Sequence, residues 1–313
     1  MSFATEVKKE LLRLEYNDEA LMAFVTGIMQ DSSSIIIKEG KMMLRVQSFM
    51  PSIIRFLVPF LKTKYDAQTE TSYLDKTNIN KKRIYCLEIL DKVDEIIKDM
   101  SLSFFDSIKI DSPILKTDKA KKAFVSGCFL SKGSISDPRK SSYHLEILFR
   151  KQDNAYTVME ILGDNGIVTS NIQKKNQTLV YIKRSETISN FLAFIDAYSG
   201  VLEFEDLRIR RYMNNEVNRA MNCDISNYKK SLEYCNKQLQ AIKYIKDREL
   251  DAKLSQRLKD AMKLREAYPD STLSELSELS ENILGKHLSK SGVSHCMKEI
   301  MDYYNNLTNS KLN

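Results

Sequence analysis

Two patterns of apolar residues alternate along the chain as far as Gly200. Segments 143–150 and 177–184 alternate apolar with polar residues and are rich in β-branched and aromatic side chains, which is typical of half-buried strands. Segments 51–65 and 152–163 place apolar residues three and four positions apart, which favours amphipathic helices. The pattern therefore predicts a region of mixed helix and strand.

The predicted elements follow the same order twice: helix, two strands, helix, two strands, helix. After the opening helix, the segments of the first half are 34–39, 41–48, 51–65, 67–73, 83–89 and 91–100. Those of the second half are 134–136, 143–150, 152–163, 168–173, 177–184 and 185–198. The chain therefore predicts a duplicated αββαββα unit.

The two opening helices contain the clearest internal repeat. Residues 23–35 (AFVTGIMQDSSSI) and 123–135 (AFVSGCFLSKGSI) align without a gap, and six of the thirteen positions are identical. Ala23 and Gly27 share one helix face, as do Ala123 and Gly127, and such small side chains let a second backbone come close. We predict that the two helices pack against each other.

The paired repeats resemble the LAGLIDADG motifs of homing endonucleases. That resemblance implies a pseudo-twofold fold, with the two motif helices packed together and two sheets forming a saddle for DNA. In the nucleases each motif ends in an acidic residue, and the two carboxylates hold divalent metal. Ser32 and Lys132 stand at these positions, and Asp31 is one residue, about 100° of helical rotation, away. We therefore expect no metal site and no nuclease activity.

Composition excludes several other classes of protein. The 313 residues carry 48 basic and 42 acidic side chains, and a net charge of +6 is compatible with nucleic-acid binding without requiring it. The five cysteines and three histidines form no cluster at metal-ligand spacing, and we expect no cofactor. No apolar run reaches the ~18 residues of a membrane span, and charges interrupt the opening segment MSFATEVKKELLRLEY. We expect a cytoplasmic protein.

Strand patterns end after Gly200, where a segment rich in arginine and asparagine begins. Its four arginines are Arg208, Arg210, Arg211 and Arg219. Arginine beside asparagine suits contact with DNA phosphates. The alternative is a hinge in which the arginines pair with acidic residues such as Glu203, Glu205 and Asp206.

An amphipathic helix of about five turns is predicted from Ser226 onward, because apolar residues recur at spacings of three and four. These residues are Tyr228, Leu232, Cys235, Leu239, Ile242 and Ile245. The stripe suits packing on a neighbouring domain, and a coiled-coil dimer remains the alternative.

The carboxyl-terminal part of the chain predicts a three-helix unit. A first helix ends at Pro269, and Thr272 with Glu275 forms a capping box for the second. Segment 282–288 supplies a turn, after which Ser289 caps the third helix. The inward positions of the three helices are Leu254, Leu258, Ala261 and Leu264, then Leu273, Leu276 and Leu279, then Val293, Met297 and Ile300.

The outward face of the third helix carries hydrogen-bonding and cationic side chains. With the capping serine, they are Ser289, Lys290, Ser291, Ser294, His295 and Lys298. No acidic residue interrupts this face before Glu299, which suits a helix that enters the major groove of DNA. A helical tail for protein contact is the alternative.

Over nearly its whole length the chain is similar to the WhiA family. The similarity rests on Met1-Ser2-Phe3 with Glu6-Val7-Lys8, on AFVSGCFLSKGSISDP followed by YHLEILF, on Asn218-Arg219-x-x-Asn222-Cys223 with Asn227, and on LREAYPDSTLSELSEL followed by LSKSGVSHCMKEI. It implies a degenerate LAGLIDADG domain and a carboxyl-terminal helix-turn-helix that carries most of the DNA binding. It also implies a role in cell division, chromosome segregation and, in sporulating relatives, transcriptional control of sporulation. One departure is Cys296, where we expect a basic residue.

These observations predict an α+β fold, a pseudo-twofold LAGLIDADG-like (αββαββα)×2 domain, followed by an all-α helix-turn-helix domain. The predicted parts are LAGLIDADG-like halves at 1–110 and 111–205, a connector with the amphipathic helix at 206–250, and the helix-turn-helix domain at 251–313. The predicted function is that of a non-catalytic, nucleoid-associated regulator. Its partner is double-stranded DNA, and other regulators or division proteins are further candidate partners.

Two alternatives remain open. One is a residual site-specific endonuclease, and the other is a protein-docking scaffold with auxiliary DNA binding. Basic residues on or beside the predicted strands allow a sheet that faces DNA, although charge on a sheet is also typical of a solvated face: Lys38, Lys41, Arg45, Lys82, Arg83, Lys174, Lys175, Lys183 and Arg184.

Overall fold

A computed structural model describes residues 2–38, 40–75, 83–102, 104, 108–140 and 142–309. The end of the predicted strand 34–39 and the predicted strand residue Lys82 lie outside this part of the chain. The chain forms two compact units, Met1–Tyr212 and Met213–Asn313, each described by itself below. The division therefore falls inside the predicted connector 206–250.

The first unit opens with α1 (Phe3–Leu11) and continues with two copies of one arrangement. The first copy contains α2 (Asp18–Ser32), β1 (Ser33–Lys38), β2 (Lys41–Ser48), α3 (Pro51–Tyr65), β3 (Thr69–Asp75), β4 (Arg83–Ile89) and α4 (Val93–Asp99). The second copy contains α5 (Asp118–Lys132), β5 (Gly133–Ile135), β6 (Leu145–Phe149), α6 (Gln152–Asp164), β7 (Ser170–Lys174), β8 (Gln177–Ile182) and α7 (Ser185–Phe194). The predicted duplication is confirmed.

Each copy forms a four-stranded antiparallel sheet, in the order β1-β2-β4-β3 or β5-β6-β8-β7. Alternate residues of the central strands face the core, so Leu44 pairs with Ile89 and both are fully buried. The residues between them face outward, as Arg45 does opposite Glu88. The second sheet repeats this alternation.

The two motif helices α2 and α5 pack backbone against backbone. A Cβ atom added to Gly27 would overlap the carbonyl oxygen of Phe124, and one added to Gly127 would overlap the carbonyl oxygen of Phe24. Each glycine therefore leaves the space that the other helix occupies. Side chains cap both helices, because Asn17 accepts a hydrogen bond from Ala20 and Thr117 plays the same part for α5.

A helix of 49 residues, α8 (Tyr198–Lys246), begins in the first unit and continues into the second. Glu10 fixes its start, because its carboxylate accepts hydrogen bonds from the backbone N–H groups of Ser199 and Gly200 at 2.7 and 3.0 Å. Every residue from 212 to 230 is exposed. The predicted amphipathic helix therefore lies within a longer one, and the prediction of an inward Tyr228 is wrong, because this residue is 62% exposed.

The second unit packs the end of α8 against four further helices. They are α9 (Gln256–Ala267), α10 (Leu273–Glu278), α11 (Ser280–Leu284) and α12 (Lys290–Asn309). Their core includes Ile242, Leu264, Leu276, Val293 and Met297. Both hydrogen bonds of the predicted capping box are present, because the side chains of Thr272 and Glu275 each accept from the backbone N–H of the other. The predicted turn 282–288 is shorter than expected, because α11 continues to Leu284 before Gly285 takes a left-handed conformation.

The helices of the described residues include none with both the length and the apolar content needed to cross a bilayer.

Candidate nucleic-acid interface

Two buried serines fix the approach to α12. The hydroxyl of Ser280 accepts a hydrogen bond from the backbone N–H of Leu288 at 2.8 Å, and the hydroxyl of Ser277 donates to the carbonyl of Leu288 at 2.6 Å. Ser280 also donates to the carbonyl of Ser277 at 2.6 Å. Both backbone groups of Leu288 are thus held just before the helix begins. The start of α12 is therefore tied to α10 and α11 by side-chain hydrogen bonds.

The residues predicted to form the outward face of α12 are all exposed in the structure. They are Ser289, Lys290, Ser291, Ser294, His295 and Lys298. Ser289 accepts a hydrogen bond from the backbone N–H of Gly292 at 3.2 Å. His295 contacts Glu299 at 2.6 Å, so one acidic residue joins the far end of this face.

Cys296 lies on the opposite side of α12 and is 1% exposed within the core of the unit. The residue at which this chain departs from the expected basic side chain therefore points into apolar surroundings. The buried thiol has no bearing on the charge of the outward face.

The four arginines of the predicted connector all have partners within the protein. Arg208 pairs with Glu205 at 2.7 Å, and Arg210 pairs with Asp206 at 3.0 Å. Arg219 pairs with Glu216 at 2.9 Å. Arg211 donates to the carbonyl of Lys140 at 2.7 Å and stacks over the ring of Tyr143. These contacts correspond to the pairing alternative, although exposed pairs of this kind contribute only about 0–1 kcal/mol.

The outward face of the first sheet is a mixture of charges and apolar groups. Arg45 pairs with Glu88 at 2.6 Å, and Arg83 pairs with Asp75 at 3.0 Å. On the second sheet His144 contacts Glu146 at 2.9 Å, and Lys183 lies over the ring of Tyr181. Three of the nine predicted basic residues, Arg45, Arg83 and Lys183, therefore have acidic or aromatic neighbours.

The ends of the two motif helices carry Ser32 and Lys132, the positions at which the sequence predicts that metal-binding carboxylates are lacking. Ser32 is 4% exposed and donates its hydroxyl proton to the carbonyl of Ile28 at 2.5 Å. Asp31 is 3% exposed and accepts a hydrogen bond from the backbone N–H of Arg150 at 2.7 Å. Burial raises the pKa of Asp31, and the hydrogen bond from Arg150 opposes that rise. The described residues contain no group of three histidine, cysteine, aspartate or glutamate side chains placed to hold a metal ion.

Cations gather at the same ends. Lys132 closes α5, and burial followed by the charge of Arg150 lowers its pKa. Lys8 of α1 stands over the ring of Phe129, and its pKa is lowered to about 8 by burial and then by the charge of Lys132. Sequence reasoning missed Lys8 and Arg150, because they reach this place only through the packing of α1 and of both halves.

Comparison with known proteins agrees with this architecture. Residues 18–103 match a family model described as the WhiA N-terminal LAGLIDADG-like domain, residues 121–214 match the WhiA LAGLIDADG-like domain, and residues 217–304 match the WhiA C-terminal HTH domain. A full-length DUF199/WhiA structure from Thermatoga maritima superimposes with a TM-score of 0.58 and 21% identity, over 98% of this chain and 99% of that one.

Two named relatives extend along almost the whole chain. The probable cell division protein WhiA of Bacillus pumilus is 31% identical over 99% of this chain and 98% of its own length. That of Geobacillus sp. is 32% identical over 96% of this chain and 94% of its own length. The duplicated fold, the helical second unit and these matches together show that the chain belongs to the WhiA family.

Proposed function

We infer that this protein is a non-catalytic regulator that binds duplex DNA mainly through α12. The observation that carries the inference is the exposed face from Ser289 to Lys298, which stands opposite a fully buried apolar face. Two lysines, three serines and a histidine supply donors for phosphates and base edges. Such a protein would lie on the nucleoid, in the cytoplasm.

The rigid approach to α12 supports this role. Recognition of base edges requires a helix held in one register, and the bonds of Ser277 and Ser280 to Leu288 hold its first turn. The relatives' printed name supports a part in cell division. We further propose that this protein binds DNA sequence-specifically, and that this binding serves transcription and chromosome segregation during cell division.

The experiment measures duplex binding by fluorescence anisotropy across a salt series, for the intact chain and for Lys290→Ala/Lys298→Ala. Loss of two phosphate contacts should weaken binding and reduce the logarithmic salt slope by about 0.9 for each contact. The matched control is Lys237→Ala/Lys253→Ala, which removes two exposed lysines of the same unit outside α12. Equal salt slopes of duplex binding in all three proteins would show that the lysines of α12 do not contact DNA phosphates.

Specificity has its own measurement. Genome-wide mapping of bound DNA should give a recurrent sequence with the intact chain and lose it with Ser294→Ala/His295→Ala. These exposed side chains carry the donors and acceptors that would read bases. Even coverage of the genome by the intact chain would contradict sequence-specific binding.

We also propose that the first unit does not cut DNA. Ser32 and Lys132 supply no carboxylate for a divalent cation. Asp31 has a carboxylate, but it is buried and accepts a hydrogen bond from the backbone N–H of Arg150, so we assign it a structural role. Plasmid and genomic DNA incubated with the protein and magnesium or manganese should stay intact. Cleavage that disappears in Asp31→Asn would overturn this part of the proposal.

A second candidate function for the first unit is protein docking. The outward faces of the sheets carry ion pairs such as Arg45 with Glu88 and Arg83 with Asp75, which neutralise part of their positive charge. Charge reversal at Lys38 and Lys174 should then leave DNA affinity unchanged in the intact chain. A loss of affinity as large as that of the α12 variant would instead assign the sheets to DNA.

A further inference from the structure

We propose that the cations at the ends of the two motif helices form a binding site for a phosphate group. The site is built from Lys8 of α1, Lys132 at the end of α5 and Arg150 at the end of β6. It is separate from the face of α12 and does not depend on the proposed function of that face.

The first support is the position of the three cations on different elements. Lys8 stands 5.8 Å from the centre of the Phe129 ring, in the last turn of α5 that also carries Lys132. Arg150 is anchored by two hydrogen bonds to the other half, from its backbone N–H to Asp31 at 2.7 Å and from its guanidinium to the carbonyl of Ser33 at 3.1 Å. Packing of α1 and of both halves therefore brings the three charges to one place.

The second support is the shortage of negative charge around them. Asp31 is the carboxylate that acts on Lys132, and it is buried and already bonded to the backbone of Arg150. Among the described residues, no carboxylate forms an ion pair with Lys8, Lys132 or Arg150. Partly buried ammonium groups without a counter-charge raise the energy of the folded protein.

The pKa values of both lysines agree with that shortage. Burial comes first and a neighbouring cation second in lowering the pKa of Lys8 to about 8 and that of Lys132 below its ordinary range. The charged groups that neighbour the three cations of the site are Asp31 and Lys151. A bound anion would remove this repulsion.

Phosphate fits the cluster better than a singly charged anion. The three cations of the site and the neighbouring Lys151 share one carboxylate, and a dianion can balance more of this excess of positive charge than a monoanion can. The planar guanidinium of Arg150 can offer paired N–H groups to two phosphate oxygens, while each ammonium acts as a point charge. The source is either a free phosphate compound or the backbone of DNA.

Titration calorimetry of the full chain with inorganic phosphate, at constant ionic strength in sodium chloride, tests the site. We expect saturable binding that weakens by about tenfold or more in Lys8→Gln/Lys132→Gln, because charge-assisted hydrogen bonds are lost. The control is Lys62→Gln/Lys116→Gln, which removes two exposed lysines of the same unit and should bind like the intact chain. No heat beyond that of added chloride, or equal binding by the double variant, would overturn the proposal.

Circular dichroism checks the folding of the variants. In chloride alone, Lys8→Gln/Lys132→Gln should unfold at no lower temperature than the intact chain, because it has lost a repulsion. If this variant does not fold, Lys8→Gln alone replaces it, and its phosphate binding should still be weaker than that of the intact chain. Unchanged phosphate binding by Lys8→Gln would contradict the site.

A DNA arm separates the two sources of phosphate. If the site holds DNA backbone, Lys8→Gln/Lys132→Gln should reduce the logarithmic salt slope of duplex binding by about 0.9 for each lost contact. An unchanged slope, with phosphate binding lost, assigns the site to a free phosphate compound. The phosphate titration contains no DNA, so its failure leaves the proposal for α12 untouched.

Discussion

At Gly27 and Gly127, the absence of a side chain decides how the two halves of the first unit pack. Both glycines face the backbone of the opposite motif helix, and the space that a Cβ would need is taken by a carbonyl oxygen. Neither helix can yield without moving the strand that follows it directly. These two positions therefore fix the distance between the halves.

Gly27→Ala should destabilise the first unit by about 1–3 kcal/mol, because the added methyl forces the helices apart. Gly163→Ala is the matched control, since a Cβ there meets nothing within 4 Å and alanine favours a helix by about 0.5–1 kcal/mol. Urea unfolding followed by circular dichroism measures both changes. Equal midpoints for the two variants would contradict the close packing.

Lys8 should make the stability of the protein depend on pH in the alkaline range. Its pKa is lowered to about 8, whereas an unfolded lysine titrates near about 10.4, so between these values the unfolded chain binds more protons. The free energy of unfolding should therefore rise with pH above 8, with a slope of at most about 1.4 kcal/mol per pH unit.

Urea unfolding in phosphate-free chloride buffers from about pH 7 to pH 9.5 measures this slope. Lys8→Met should make the rise shallower, leaving the part that Lys132 contributes, and Lys62→Met, at an exposed site, should keep the full rise. An unchanged slope in Lys8→Met would show that Lys8 is not responsible.

At the scale of elements, the sequence was a good guide wherever one face is buried. Strands β2 and β4 and helix α3 have the predicted bounds, because each buries one face and so shows a clear apolar period. The middle of α8 could not be predicted as helix from its pattern, because residues 212–230 bury no face and therefore carry no period. The part of α8 beyond residue 230 does bury side chains, but one of them is Gln238, a polar residue that an apolar pattern does not reveal.

The two candidate sites, the outward face of α12 and the cluster of cations, also differ in how far the sequence predicts them. The outward set of α12 followed from its buried Val293, Met297 and Ile300, since one helix supplies both faces. The cluster of Lys8, Lys132 and Arg150 depends on long-range packing between three elements, and no local spacing encodes it. The bonds of Ser277 and Ser280 were missed because a serine in a short helix has the same local pattern when exposed.

The turn that precedes α12 can be tested through Ser280. Ser280→Ala leaves the partly buried N–H of Leu288 without its partner, which should cost about 1–3 kcal/mol of stability in the second unit. DNA affinity should also fall, although no exposed residue of α12 changes. Ser255→Ala is the matched control, because that serine caps α9 without a side-chain hydrogen bond. Thermal unfolding and anisotropy measure the two effects, and unchanged values in Ser280→Ala would contradict them.

At the scale of the whole molecule, the chain contains two separate hydrophobic cores. One cluster lies within the first unit, and the other joins Ile242 and Ile245 to the helices that follow. Two cores predict two unfolding transitions, so a substitution inside one unit should shift one of them.

Arg265 provides that substitution. This residue is 1% exposed, and its guanidinium donates to the carbonyl of Ser271 at 2.5 Å and to those of Tyr268 and Pro269 at 3.4 Å. Arg265→Met should lower the stability of the second unit by about 2–3 kcal/mol, because the charge-assisted hydrogen bond to the partly buried carbonyl of Ser271 is lost.

Calorimetry with hydrogen exchange followed by mass spectrometry assigns each transition to its unit. Peptides of α2 and α5 should keep their protection in Arg265→Met, while those of α9 and α12 lose it. Arg257→Met, at an exposed position of α9, should leave both transitions in place. An equal shift of both units in Arg265→Met would show that the chain unfolds as one body.

The ends of the motif helices also limit how this chain can change over evolutionary time. A carboxylate gained at Ser32 would have Asp31 as its neighbour in the chain, but Asp31 is buried and already bonded to Arg150, so a pair of metal ligands would still lack its second member. A carboxylate gained at Lys132 would leave Ser32 bonded to its own helix. Neither single substitution supplies the two carboxylates that a divalent cation needs, whereas an outward residue of a sheet can change by itself. A metal site at these helix ends would therefore require two substitutions together, while a new surface on a sheet can be reached one residue at a time.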